Sequence, residues 1–78
     1  MNKAERRKLF KQGVKDGASH LLIVYNIDTD KRFAVYVTDG NVEAAYRKNS
    51  MNLHAVDEIF RLSDDMEEQL ERERCFNY

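Results

Sequence analysis

Residues 19–37, SHLLIVYNIDTDKRFAVYV, decide how this chain is read. Two strand-like runs, Leu21 to Tyr25 and Phe33 to Val37, flank a polar turn containing Asp28, Thr29, Asp30 and Lys31. In the first run Leu21, Ile23 and Tyr25 fall on one face and Leu22 and Val24 on the other, because successive strand residues point to opposite sides. Every position is apolar, so both faces need cover. A chain of 78 residues has little material to cover two faces of a sheet. The mismatch predicts close helix packing on both sides, or a second subunit. The second run alternates Phe33, Val35 and Val37 against Ala34 and Tyr36. The turn from Asp28 to Arg32 lacks the Asn-Gly or Asp-Gly pair of the tightest hairpins, which predicts a loop of four or five residues.

Upstream, Asn2 followed by Glu5 has the spacing of a capping box. It predicts a helix from about Lys3 to Asp16, with Leu9, Phe10, Gly13 and Val14 as its apolar stripe and Gly17 as the left-handed residue that ends it. Downstream, Thr38 to Asn41 punctuate the second strand. Val42, Ala45 and Tyr46 then fall at helical spacing on a short helix ending near Lys48, and 49–52 is a loop.

Leu53 to Leu62 fits either period. As a helix it aligns Leu53, Val56 and Phe60; as a strand it alternates Val56, Glu58, Phe60 and Leu62 against Ala55, Asp57, Ile59 and Arg61. Ser63 and Asp64, with Glu67 three residues after Asp64, look like a fresh helix start, which implies that the preceding residues are not helical. The segment is therefore assigned as a strand, followed by a helix from about Asp64 to Arg74 with Met66 and Leu70 as its apolar edge. The result is one α+β domain, residues 1–78, with topology αββαβα. Placing the most apolar strand in the middle gives a three-stranded antiparallel sheet of order 2-1-3. In this reading the first two helices supply one face of the sheet, and the other is left to Met66, Leu70 and the tail aromatics.

Composition narrows the function classes. Hydrophobic content of 42% with charged content of 35% suits a folded domain. A domain of this size buries only about 60–65% of the surface its unfolded chain exposes, so its margin is small. The single cysteine, Cys75, cannot form an internal disulfide, and no Cys/His cluster has zinc spacing, so no cofactor or metal is expected. One thiol, charged first residues and no membrane-length apolar run point to the cytoplasm and away from a membrane. Net charge is −1 but unevenly placed: residues 1–16 carry +4 and residues 57–74 carry −5. Opposite blocks of this kind are ordinarily helix faces that attract each other. A basic N-terminal patch for nucleic acid is the competing reading, opposed by the acidic balance elsewhere.

The pattern as a whole resembles a group of small phage and bacterial proteins. The matching pieces are Gly17-Ala18-Ser19-His20, the apolar strand Leu21 to Tyr25, the acidic turn Asp28 to Asp30, Val35-Tyr36-Val37, Met51 to Leu62, and the aromatic tail Arg74 to Tyr78. The likeness departs from the pattern at Ser19, where such proteins have Thr, and at the basic Lys31-Arg32. It implies a compact domain in a mobile-element setting and carries no active site with it.

Candidate chemistry is sparse. His20 could be a base or a ligand-binding group, but it lacks an identifiable nucleophile, and a strand-end hydrogen bond accounts for it more simply; His54 is similar. Asp28 and Asp30 lack the Gly and distant Glu of a calcium loop and read as turn formers. Cys75 has no nearby base. Phe76 and Tyr78 follow a charged helix at the end of the chain, so an aromatic pair there is expected to dock on its own domain, a second copy or a partner.

The expectation is therefore a non-enzymatic binding protein that forms a homo-oligomer, with a host or phage protein as a further partner. Two alternatives stand beside it. One is a protein that sequesters a nucleotide or small ligand, perturbing host defence signalling, in a pocket supplied by Arg6, Arg7, Lys11, Arg32 and Tyr36. The other is nucleic-acid binding through the basic N-terminal helix. The residues expected to bind are Arg6, Arg7, Lys11, His20, Arg32, Tyr36, Phe76 and Tyr78.

Overall fold

In a computed structural model that describes residues 1–78, the apolar run forms the central strand of a three-stranded antiparallel sheet. The elements in chain order are α1 (Lys3–Lys15), β1 (His20–Asn26), β2 (Lys31–Val37), α2 (Val42–Lys48), β3 (His54–Arg61) and α3 (Met66–Glu71). The sheet order is β2-β1-β3, as the hydrophobic pattern requires. Leu21, Leu22, Ile23 and Val24 are all fully buried, so β1 is covered on both faces.

The cover is arranged differently from the expectation. On one face Leu21 and Ile23 pack with Phe10, Phe60, Leu62, Leu70 and Cys75, which brings α1 and α3 together on that side. On the other face Leu22 and Val24 pack with Val37, Val56 and Ile59, against Val42, Ala45 and Tyr46 of α2. The first two helices therefore lie on opposite faces. The charge blocks explain the pairing of α1 with α3. Arg7 donates twice to the carboxylate of Glu67, at 2.8 and 3.1 Å, and Lys3 pairs with Glu71, so the basic N-terminal helix runs against the acidic C-terminal one.

β3 departs from simple alternation. Its register against β1 passes from Ile23–Glu58 to Val24–Val56, leaving Asp57 as an extra residue. This β-bulge puts Val56 and Ile59, three apart in sequence, in the same core layer, whereas strict alternation places them on opposite faces. Glu58 and Phe60 face α1 and α3.

Helix starts follow their chemistry within one residue. Asn2 accepts from the Glu5 N–H at 2.8 Å, Asn41 from Ala44 at 3.1 Å and Asp65 from Glu68 at 3.0 Å. The last cap is one residue later than Asp64, and α3 ends at Glu71, three residues short of the expected Arg74, because Arg72 turns extended. Gly17, at φ +76°, terminates α1 as expected. Val14 does not join the core stripe; it is 51% exposed, and Gly13 sits in the contact instead. A methyl group on Gly13 would lie 2.7 Å from both Leu62 and Tyr36, so the absent side chain is what lets α1 approach the sheet.

The C-terminus closes one edge of the sheet. Ile59 N–H donates to the Cys75 carbonyl at 2.7 Å and Asn77 N–H donates to the Ile59 carbonyl at 2.9 Å, a parallel bridge along the outer side of β3. Tyr78 then reaches Tyr46 of α2 edge-on, ring centres 6.2 Å apart.

Candidate interaction surface

With the tail against β3, the other edge of the sheet is left open. β2 pairs with β1 along one side, without a bulge, and with nothing along the other. A strand in that position presents a row of unpaired N–H and C=O groups, a template for another strand. Folded proteins usually blunt such an edge with charge, proline or a bulge. Here Lys31 and Arg32 supply charge at one end only. Phe33 to Val37 contain no charge, no proline and no bulge. Phe33 is exposed, and Ala34, Val35 and Tyr36 are half-buried.

A cleft of about 460 Å³ runs beside this edge, between α1 and β2. Met1, Leu9, Phe33 and Ala34 give it an apolar lining, and Glu5, Lys8 and Gln12 its polar rim. Its depth depends on the close approach of α1 at Gly13 and on the Tyr36 hydroxyl, which donates to the Leu9 carbonyl at 2.7 Å. Burial pushes the Tyr36 phenol above its ordinary pKa, so it stays a donor.

The residues expected to bind from sequence do not converge. Arg6 lies beneath α1, its Nη1 3.2 and 3.4 Å from the two oxygens of Glu58. Arg7 is held by Glu67, and Tyr36 by the Leu9 carbonyl. Lys11 is exposed on α1. Tyr78 docks on Tyr46. His20 is buried at the foot of β1, its Nδ1 2.9 Å from the Ser19 hydroxyl. That hydroxyl also lies 3.1 Å from the Val37 carbonyl, to which it can donate. Nε2 is buried with no hydrogen-bond partner. Burial is the main reason the imidazole titrates below its ordinary value, with Arg61 adding to the effect.

Arg32 and Phe76 enter a second cluster, one the sequence did not announce. Its centre is the bulged Asp57. Arg32 Nε donates to Asp57 at 2.9 Å, and the Arg74 Nη2 lies 3.7 Å from the other carboxylate oxygen. Each guanidinium lies over a ring, Arg32 over Tyr25 at 4.9 Å and Arg74 over Phe76 at 5.1 Å. Asp57 thereby ties the β1–β2 hairpin to the tail. No sequence signal marks a bulge here, so neither Asp57 nor Arg74 stood out. The β2 edge was more legible, since a charge-free run on the outer strand of a 2-1-3 sheet is visible in the sequence.

No family model, curated protein or solved structure matches this chain. No helix is long and apolar enough to cross a membrane, and no group of three His, Cys, Asp or Glu side chains is placed to hold a metal ion. The surface chemistry that remains is backbone pairing along β2 beside an apolar cleft, and the paired guanidinium groups around Asp57.

Proposed function

We propose that this chain is a small non-enzymatic binding protein that engages its partner by strand addition along β2. The observation that carries the reading is the asymmetry of the two sheet edges: the tail bridges β3 at Ile59, while β2 is open, without a bulge and charge-free from Phe33 to Val37. An extended segment laid there gains main-chain hydrogen bonds, and the α1–β2 cleft accepts every second side chain. The single thiol supports a reducing, cytoplasmic setting. The likeness to small phage and bacterial proteins supports a mobile-element origin.

Peptide display tests this reading. Random twelve-residue peptides are selected on the immobilised protein, and binders are mapped by amide hydrogen exchange. Alternating apolar binders that protect the amides of β2 are expected. A selection that yields no binder, or binders protecting only other segments, removes strand addition.

The ligand-sequestering alternative retains one supporting observation, the Arg32–Asp57–Arg74 cluster with its two aromatic rings. Arg6, Arg7 and Tyr36, three of its proposed suppliers, already have partners within the fold. A thermal-shift panel of nucleotides decides it, since a binder must raise the melting temperature.

A further inference from the structure

The geometry points to a second copy of this chain as the occupant of the β2 edge, paired antiparallel about a two-fold axis through Ala34. This deepens the strand-addition reading and rests on it. Two identical edges that meet around a two-fold axis form an isologous contact, the commonest route to a closed dimer. Residues directly opposite in an antiparallel pair point to the same face. A two-fold perpendicular to the sheet therefore passes through a residue, not between two.

With the axis at Ala34, Phe33 opposes Val35 of the second copy, Arg32 opposes Tyr36 and Lys31 opposes Val37. Each opposition is chemically acceptable: an aromatic against a β-branched side chain, an arginine stem, its guanidinium held inward by Asp57, beside a tyrosine, and a lysine stem against valine. Charge decides the direction. Antiparallel pairing separates Lys31 of one copy from Lys31 of the other by six residue positions, about 20 Å at the usual rise. Parallel pairing would stack Lys31 and Arg32 of one copy on those of the other, and like charges directly opposite are destabilising. The small side chain at position 34 also suits the axis, where each residue meets itself.

The cleft fits the same arrangement. α1 flanks β2 on the face that carries Ala34, and Ala34 lines the cleft together with Leu9 and Met1. The two-fold places the two clefts side by side on one face of a continuous six-stranded sheet. The apolar linings then shield each other, and the rim contributes both signs of charge through Glu5 and Lys8. The outer ends are capped, because in each copy the tail bonds both backbone groups of Ile59 and Gln69 bonds both backbone groups of Arg61. The assembly stops at two copies.

Sedimentation velocity and cysteine cross-linking test this in the full chain. The expected result is a species of twice the 9.2 kDa chain mass at micromolar concentration. Ala34→Cys is a mild change that brings two thiols face to face across the axis. It should form an intermolecular disulfide rapidly under mild oxidation, whereas Val14→Cys, on the exposed side of α1, should not. Phe33→Glu alone should weaken the dimer about tenfold or more. Adding Val35→Lys in the same chain should restore it, since residues 33 and 35 oppose each other across the two-fold. Circular dichroism confirms that each variant is folded. A single 9.2 kDa species up to near-millimolar concentration overturns the proposal, as does a dimer whose Ala34→Cys thiols do not cross-link. A monomer that still takes alternating peptides on β2 would remove the second copy while leaving strand addition intact.

Discussion

The side-chain amide of Gln69 pairs with both backbone groups of Arg61: Oε1 accepts from the Arg61 N–H at 2.8 Å, and Nε2 donates to the Arg61 carbonyl at 2.9 Å. One side chain thus imitates the next strand of the sheet. Oε1 also accepts from the Asn77 side chain at 3.1 Å, and Nε2 donates to the Asp65 carbonyl at 3.1 Å. Gln69 is fully buried and fully bonded, and it joins β3, α3 and the tail at one point. Gln69→Leu leaves the Arg61 groups without partners, so it should cost about 2–3 kcal/mol. Urea denaturation measures the cost. Hydrogen exchange of Asn77 and Ile59 should accelerate, because the tail loses its anchor.

Arg6 and Glu58 form the second internal tie. Both side chains are largely out of water, 14% and 8% exposed, and Glu58 also accepts from the Cys75 N–H at 3.3 Å. Removing one partner strands the other, so Glu58→Leu should destabilise the fold by about 3 kcal/mol. The double change Arg6→Met with Glu58→Leu should recover much of that loss. A double-mutant cycle by chemical denaturation tests the coupling.

Glu58 and His20 set opposite pH dependences. Burial raises the Glu58 carboxyl above its ordinary value, outweighing Arg6 and the Cys75 N–H. The folded state then holds that proton more tightly than the unfolded one. This contribution is full below the ordinary carboxylate value, about 4.3, and is lost as pH rises through the raised one. Glu58→Gln should therefore gain stability relative to wild type as pH rises from about 4 toward neutrality. His20 is lowered, so its contribution is present above the ordinary imidazole value, about 6.5, and is lost as pH falls through the depressed one. Denaturation midpoints across pH for wild type, Glu58→Gln and His20→Gln separate the two slopes. Equal slopes in all three would remove both assignments.

Gly13→Ala should destabilise, although alanine favours helix by about 1 kcal/mol. The new methyl would sit 2.7 Å from Leu62 and Tyr36, and overpacking of this kind costs about 1–3 kcal/mol. A melting temperature at or above wild type would show that α1 can shift away from the sheet.

Leu53 presents the opposite case. It follows Asn52, and both sit in the left-handed region, at φ +69° and +56°. The His54 N–H closes the turn on the Met51 carbonyl at 3.3 Å. Glycine suits the position that Leu53 occupies, and the leucine side chain is 58% exposed, so little burial is lost on removing it. Relief of about 1–2 kcal/mol of left-handed strain should outweigh the extra freedom of the unfolded glycine chain, about 0.5–1 kcal/mol. Leu53→Gly should raise the denaturation midpoint slightly; a fall would mean that Leu53 makes contacts worth more than its strain.

Much of this architecture was written locally. The continuous apolar run of β1 required a central, doubly covered strand. The N-cap residues Asn2 and Asn41 and the left-handed Gly17 marked helix ends through short-range hydrogen bonds and backbone sterics. The fresh helix start before Met66 separated a strand from a helix at 54–61, although its cap is Asp65 and not Asp64. These signals act over three or four residues, so one sequence suffices to read them.

The sequence by itself determined the elements, their order and the 2-1-3 sheet, because hydrophobic period and capping are local properties. Only the tertiary structure decided which helix covers which face, since Leu9 and Phe10 fit either side of a sheet as well as Val42 and Ala45 do. It also decided the bulge at Asp57, the burial of Arg6 against Glu58 and the seating of the tail beside Ile59. Each of those depends on partners at least sixteen residues away in the chain. Closure of the β3 edge by the tail, and the open β2 edge left on the other side, follow from those distant pairings.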